Sequence, residues 1–332
     1  MIILCLICPA FTSHRTLPHT SLHPPISHRL IYLGHLHHSI ARLLLLSLAL
    51  PAQSSTPTTS PHFVFCGGFL TPSTVYSSWR DKLLDHFPSS RFRFLQDPSG
   101  LQNQVSLLQA SDILLTELRK SDQPTVLLGH SRGGAVALLA TIRDPSLLHA
   151  VVLVDPVDDS DLSLIQSISE QGFQSLYLPP HLLISTPYGG RSSYYKKTTF
   201  TSTCAPVGRN AEALWRSLRG HADFQGILLD FPELGHLQLF DGNELTSLKN
   251  VCPSNEQLNP AQISEYKHFV YDIMLGFLDA ADRELSNVSM EEIIYQVLDS
   301  DSRSRSLKFR WEVCNTIGKL RECKTDDILK AT

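Results

Sequence analysis

Residues 125–144 read TVLLGHSRGGAVALLATIRD, two apolar runs that flank a serine set among glycines. The run TVLLG predicts a buried strand and AVALLATI predicts a helix, so their junction falls at Ser131. A G-x-S-x-G pattern at such a junction is typical of a nucleophile elbow, a sharp turn that lifts the serine hydroxyl above the sheet. Gly129 and Gly133 would let the strand and the helix approach closely. We therefore predict that Ser131 is a nucleophile, rather than the N-cap of a helix after a plain turn.

A serine hydroxyl needs a base to accept its proton and an acid to orient that base, and in this architecture they follow in the order serine, acid, histidine. Asp155 ends the apolar run HAVVLV and is the predicted acid, with Asp158 and Asp159 in the same turn as rivals. His236 follows a strand, a proline and a glycine in ILLDFPELGH, which indicates a loop after the last parallel strand. We predict that His236 is the base. The other histidine of this region, His221, precedes that strand.

The segment FVFCGGF predicts the first core strand followed by a glycine turn. Gly67 and Gly68 would allow the backbone to turn toward the serine, so the N–H groups of Phe69 and Arg132 are the predicted oxyanion donors. The guanidinium of Arg132 is expected either to form an ion pair beneath the site or to meet a polar group of the substrate. Cys66 lies inside the apolar strand and is predicted to be a buried thiol rather than a nucleophile.

The composition suits one α/β domain of ordinary size, with 42% apolar residues and a formal net charge of -4 that gives no support for nucleic-acid binding. Apolar strands alternate with helical patterns from Phe63 to the helix predicted from Glu265. Strands that are apolar throughout are typical of a parallel sheet covered on both faces. The predicted class is therefore α/β, with a mostly parallel sheet and helices on both faces.

Three regions are predicted along the chain. Residues 1–60 read as a targeting segment, because no Asp or Glu precedes Asp81 and Ser, Thr, Pro and His are frequent. This composition favours a plastid address, while Arg42 followed by LLLLSLAL keeps a secretory signal as the alternative. Residues 61–285 form the predicted catalytic domain. Residues 286–332 are expected to be a helical or loose extension, with one amphipathic helix over MEEIIYQVL.

Further expectations concern the segments that follow Asp155. An apolar wall or lid is predicted to include the side chains of Phe173, Leu176 and Tyr177, and plain packing is the alternative. The YYKK sequence at 194–197 is expected to be a solvated loop, with peripheral membrane association as the alternative. A disulfide between Cys204 and Cys252 is compatible with an oxidising compartment. The body of the chain has no C-x-x-C pair, so no metal site is predicted.

Four segments together resemble chlorophyllases: GHSRGG, VDPVD, CAPVGRN at 204–210 and LGHLQLFD around His236. The resemblance extends from about Phe63 to Leu278. It implies an α/β-hydrolase fold with Ser131, Asp155 and His236 as a catalytic triad. It also implies hydrolysis of the phytyl ester of chlorophyll to chlorophyllide and phytol, with no metal or organic cofactor.

The sequence departs from the chlorophyllase pattern at several positions. Val207 stands where that family usually has Glu, and the histidine loop has Leu237 and Gln238 in place of Met and Asp. These departures leave the three triad residues unchanged, but they widen the range of esters that the resemblance allows as substrate. The alternatives are a plastid or secreted lipase or carboxylesterase that takes another acyl ester, and an inactive hydrolase scaffold that binds pigment or lipid.

Overall fold

In the computed structural model, the described residues all lie within one unit of the chain, Thr59–Thr332. The structure describes residues 60–98, 105–158, 164, 177–188, 208–221, 224–241, 252, 254–282, 290–300, 307–317 and 320–328. The predicted targeting segment falls outside these residues, apart from residue 60. Several other predicted positions also lie outside them: Asp159, Phe173, Leu176, the YYKK sequence and Cys204.

An eight-stranded sheet runs through the described residues in the order β2-β1-β3-β4-β5-β6-β7-β8. The strands are β1 (His62–Cys66), β2 (Arg91–Leu95), β3 (Thr125–His130), β4 (Leu148–Val154), β5 (His181–Ser185), β6 (Gly226–Asp230), β7 (Phe309–Ile317) and β8 (Leu320–Ile328). The first six pair in parallel, and the last two are antiparallel. The predicted α/β class with a mostly parallel sheet is confirmed.

Helices cover both faces of the sheet, as predicted. They are α1 (Ser77–His86), α2 (Leu107–Leu118), α3 (Arg132–Arg143), α4 (Ala211–Leu218), α5 (Pro260–Asp282) and α6 (Met290–Ser300). Side chains of α1, α5 and α6 pack into one buried core, and those of α2, α3 and α4 into a second. Successive strand residues alternate between the two cores: Phe63 and Phe65 enter the first, and Val64 and Cys66 enter the second.

The parallel order places the carboxyl ends of β1, β3, β4 and β6 along the same edge of the sheet, the one that runs across the strand ends. Each of the predicted site segments follows one of these strand ends, because parallel strands all point the same way. The structure therefore brings the loops after these four strands together. The pairing of β3 with β4 is in register from Gly129 with Leu153 to His130 with Val154, at the residues that precede Ser131 and Asp155.

The C-terminal region differs from the prediction in part. The helix over MEEIIYQVL is confirmed as α6, but the expectation of a helical or loose extension is wrong for residues 309–317 and 320–328, which are strands. Strands β7 and β8 extend the main sheet from β6. The sequence FRWEV explains why a strand forms here, because Phe309, Trp311 and Val313 are buried and alternate with polar residues. Such an alternation forms a strand with one covered face.

No helix in the described part of the chain has both the length and the apolar character needed to cross a membrane.

Candidate active site

Ser131 lies at the turn between β3 and α3, with the strained backbone that an elbow requires. Its φ is 55° and its ψ is −128°, a conformation that non-glycine residues rarely adopt. The Ser131 N–H donates to the Val154 carbonyl at 3.1 Å, and the Ser131 carbonyl accepts from Gly134 and Ala135 in the first turn of α3. These bonds hold the turn against β4. His130 and Arg132 are buried, whereas Ser131 is only half-buried, so its side chain is accessible.

The glycines around the serine are required by close packing. A Cβ on Gly129 would lie 2.7 Å from the Gly134 Cα, inside van der Waals contact. A Cβ on Gly133 would collide with the carbonyl oxygens of Cys66 and Gly67. The structure thus shows the close approach of strand and helix for which these two glycines were predicted.

Asp155 and His236 form a buried pair across the same edge of the sheet. The Nδ1 of His236 lies 2.6 Å from Oδ2 of Asp155, and both side chains are at most 5% exposed. The second carboxylate oxygen of Asp155 accepts the Thr186 N–H at 3.3 Å. A carboxylate at Nδ1 fixes the ring tautomer, because Nδ1 then carries the proton. Nε2 is left as the nitrogen that can accept a proton.

The rival residues have other positions. Asp158 is buried, and its N–H donates to the Arg209 carbonyl at 2.9 Å. His221 follows α4 and precedes β6, so it lies at the opposite end of that strand from His236. The ring of His236 packs at a tilt against that of His130, the residue before Ser131, with centroids 4.7 Å apart. The structure thus brings His236 to the elbow and to Asp155.

The loop after β1 forms a tight turn next to the serine. The Thr71 N–H donates to the Gly68 carbonyl at 3.1 Å, and Leu70 within this turn has a φ of 55°. A Cβ on Gly68 would lie 3.1 Å from the Ser131 Cβ, so only a glycine leaves the space between loop and nucleophile open. The Gly68 N–H is already engaged by the Tyr76 hydroxyl at 2.9 Å. The next amide along the loop, that of Phe69, is the predicted oxyanion donor.

Arg132 forms the buried ion pair that was one of its two predicted roles. Its Nη1 lies 2.7 Å from both carboxylate oxygens of Asp97, which follows β2. Its Nη2 donates to the Val105 carbonyl, just before α2. The guanidinium therefore ties the start of α3 to two neighbouring segments. Its backbone N–H stays at the first turn of α3, where the helix dipole favours negative charge.

Replacing Arg132 with methionine is expected to lower the free energy of unfolding by about 3–5 kcal/mol, because the Asp97 carboxylate would remain buried without its guanidinium. Urea denaturation measures this change. The double variant Arg132→Met/Asp97→Leu removes both charges and should regain most of the loss. Equal stability of Arg132→Met and the unaltered protein would contradict a structural role for this pair.

Gln238 fixes the loop that carries His236. Its Oε1 accepts from the Gly235 N–H at 2.6 Å and from the Asn255 N–H at 3.0 Å, while its Nε2 donates to the Asn255 carbonyl at 3.1 Å. The Asn255 side chain in turn donates to the Glu233 carbonyl at 3.0 Å. The glutamine that departs from the chlorophyllase pattern thus has a structural role in this chain.

The cysteines have structural positions. Burial raises the pKa of Cys66 to about 12, which agrees with its predicted role as a core thiol. Cys252 is disulfide-bonded, and the residue predicted to pair with it lies outside the described ones. Cys314 and Cys323, which face each other in the register of β7 and β8, form a disulfide that was not predicted from the sequence. Glu312 lies close to these two cysteines, and all three are residue types that can bind a metal ion. The cysteines are bonded to each other, however, and Glu312 forms an ion pair with Arg219 at 2.8 Å.

Three site contacts were not predicted from the sequence. They involve the Tyr76 hydroxyl, the His130 ring and the Thr186 N–H. His130 occupies the variable position of G-x-S-x-G, which carries no signal of its own. Tyr76 ends a 3₁₀ turn, Ser73–Tyr76, directly before α1.

Comparison with known proteins extends these observations. Residues 63–286 match the model of the alpha/beta hydrolase family. No curated protein matches the chain. Solved structures that resemble it include a YdeN-like hydrolase from Pectobacterium atrosepticum, 18% identical over 46% of this chain and 70% of that one, with a TM-score of 0.29.

Two further solved structures give similar figures. Est1E from Butyrivibrio proteoclasticus is 13% identical over 64% of this chain and 91% of that one, with a TM-score of 0.38. An extracellular alpha/beta-hydrolase from a Paenibacillus species is 18% identical over 36% of this chain and 55% of that one, with a TM-score of 0.26.

Proposed function

Because this chain belongs to the alpha/beta hydrolase family, we propose that it is a serine esterase whose substrate is the phytyl ester of chlorophyll. The observation that carries the esterase assignment is the buried contact of 2.6 Å between His236 and Asp155, at the edge where Ser131 forms an elbow. A serine on a strained turn, a histidine and a carboxylate are the three groups that acyl transfer from an ester requires.

In the proposed reaction, the Ser131 Oγ attacks the ester carbonyl while Nε2 of His236 accepts the hydroxyl proton. Asp155 holds the ring tautomer and stabilises the imidazolium that forms. The amides of Phe69 and Arg132 stabilise the tetrahedral oxyanion. His236 then gives the proton to the alcohol as the carbon–oxygen bond breaks. Water attacks the acyl-enzyme by the same route and releases the acid, here chlorophyllide.

The choice of a phytyl ester rests on the resemblance to chlorophyllases in four segments and on the surface beside the serine. Phe69 and Leu70 are 38% and 39% exposed on the loop next to Ser131, so two adjacent large apolar side chains reach solvent beside the nucleophile. An exposed apolar loop suits a long isoprenoid alcohol. The plastid address predicted for residues 1–60 would bring the enzyme to the compartment that holds this substrate. Tyr177, predicted to line a wall, is exposed but precedes β5, so it lies toward the opposite end of the parallel strands from Ser131 and does not support this surface.

A chlorophyll hydrolysis assay on the full chain tests this function. Phase separation of polar chlorophyllide from chlorophyll should show product that forms with the unaltered protein and is absent with Ser131→Ala. Short-chain nitrophenyl esters run in parallel identify the reaction class. Cleavage of these esters without chlorophyllide would overturn the substrate and retain the esterase, which then acts on another acyl ester. A protein that cleaves neither and resists a fluorophosphonate probe would be a binding scaffold.

A further inference from the structure

A chain of buried hydrogen bonds joins the three loops of the site. The Gly68 N–H lies 2.9 Å from the Tyr76 hydroxyl, which lies 2.9 Å from Nδ1 of His130. The other ring nitrogen of His130, Nε2, lies 3.3 Å from the backbone carbonyl of His236. These contacts connect the loop after β1, the residue before the nucleophile and the main chain of the proposed base.

The direction of every bond in this chain is determined by its two ends. A carbonyl oxygen only accepts, so Nε2 of His130 carries a proton and donates to His236. In a neutral ring Nδ1 is then an acceptor, and it receives the Tyr76 hydroxyl proton. The Tyr76 oxygen in turn accepts the Gly68 N–H. Burial and the nearby His236 lower the pKa of His130 well below its usual range, which agrees with a neutral ring.

Aromatic packing holds the two side chains of this chain in place. The Tyr76 ring lies 4.5 Å from that of Phe65 and 5.0 Å from that of Phe240, measured between centroids. The His130 ring lies 4.3 Å from that of Phe240 and 4.7 Å from that of His236. Both side chains are at most 1% exposed. Neither ring can turn without disturbing a close-packed core.

We propose that Tyr76 and His130 are positioning residues that hold the oxyanion loop and the His236 backbone in place around Ser131. The proposal rests on the esterase function above. Tyr76 anchors the Gly68 amide and thereby sets the direction of the following one, that of Phe69. His130 holds the His236 carbonyl and thereby the loop from which the base projects. Neither side chain is assigned a contact with the reacting atoms.

The variant Tyr76→Phe removes one hydroxyl and keeps the ring packing. With a nitrophenyl ester, its kcat should fall about 10- to 100-fold at nearly constant KM, because a misplaced donor affects the transition state more than substrate binding. A trifluoromethyl ketone, which forms a tetrahedral adduct with the serine, should bind less tightly by a similar factor. A loss of fold would instead lower the melting temperature and the fraction of active protein.

Tyr271→Phe is the matched control. Its hydroxyl lies 2.9 Å from the Ser78 Oγ and its ring packs on Trp79, so it too loses a largely buried tyrosine hydrogen bond in the same aromatic core. It has no contact with the Gly68–Tyr76–His130–His236 chain in the structure's described hydrogen bonds. We expect it to keep the kcat and the ketone affinity of the unaltered protein.

A double-mutant cycle tests whether the two residues act through one connection. In His130→Gln the amide nitrogen can take the place of Nε2 as the donor to the His236 carbonyl, while no side-chain atom takes the place of Nδ1 as the acceptor for the Tyr76 hydroxyl. Adding Tyr76→Phe to this variant should therefore lower kcat by a smaller factor than it does in the unaltered protein, because the Tyr76 hydroxyl has already lost the partner that orients it toward the Gly68 amide. Two independent losses that multiply, or a Tyr76→Phe variant that matches Tyr271→Phe, would overturn the proposal. Activity of the unaltered protein above that of Ser131→Ala establishes the esterase separately, so these outcomes would overturn the positioning role alone.

Discussion

Replacing Ser131 with alanine is expected to reduce kcat for ester hydrolysis by roughly 10⁶-fold, since the group that forms the acyl-enzyme is removed. The melting temperature should change little. The backbone at this residue has a φ of 55°, and alanine tolerates that angle no better than serine does. The serine side chain takes part in no hydrogen bond described for the site, so no buried partner is left unsatisfied.

A remote serine provides the control for this variant. Ser217, in α4, donates its hydroxyl to the Ala213 carbonyl at 3.2 Å, and Ser217→Ala should retain full activity. A fluorophosphonate probe should label the unaltered protein and Ser217→Ala but not Ser131→Ala. Peptide mapping of the labelled protein should find the adduct at Ser131. Ester hydrolysis by Ser131→Ala at the unaltered rate would contradict the assignment of the nucleophile.

The elbow could be predicted because its cause is local. A strand, a glycine-flanked serine and a helix follow one another within 20 residues, from Thr125 to Asp144, and each has its own pattern. The loop after β1 could be predicted for the same reason, since Gly67 and Gly68 follow an apolar strand directly. The parallel sheet then follows from the alternation of apolar strands and helices, which leaves few topologies.

Contacts between residues that are far apart in the sequence could not be predicted from local patterns. The hydrogen bond between Tyr76 and His130 joins residues 54 positions apart, and that between His130 and His236 spans 106 positions. Each depends on how rings pack in the core, which a pattern in one sequence does not encode. The strands β7 and β8 were missed for another reason. The segment LRECKTDDI is charged and was expected to be helical or loose, yet charges are also common on an edge strand.

The acid of the triad could be predicted only in part from the sequence. Asp155, Asp158 and Asp159 lie within five residues of one another in the sequence, so the sequence limits the acid to this segment and favours the residue at the strand end. The structure adds two observations. Asp155 has a φ of 42°, and its N–H donates to the Ile184 carbonyl at 2.6 Å, which hold it at the end of β4 and close to β5. Its carboxylate then meets His236.

Asp155→Asn is expected to reduce kcat by about 10⁴-fold, because an amide nitrogen placed at Nδ1 of His236 would donate a hydrogen bond and favour the wrong ring tautomer. Proton acceptance by Nε2 is then lost, although the geometry is nearly unchanged. The measurement is the initial rate of nitrophenyl ester hydrolysis per folded molecule, with folding checked by circular dichroism.

Asp158→Asn is the matched comparison, since it makes the same chemical change three residues later in an equally buried side chain. Because Asp155 already occupies Nδ1 of His236, the effect of Asp158→Asn on kcat should be far smaller than that of Asp155→Asn. Any loss of stability from altering a buried carboxylate would lower the folded fraction and not the rate per folded molecule. A larger loss of kcat in Asp158→Asn than in Asp155→Asn would transfer the role of acid to Asp158.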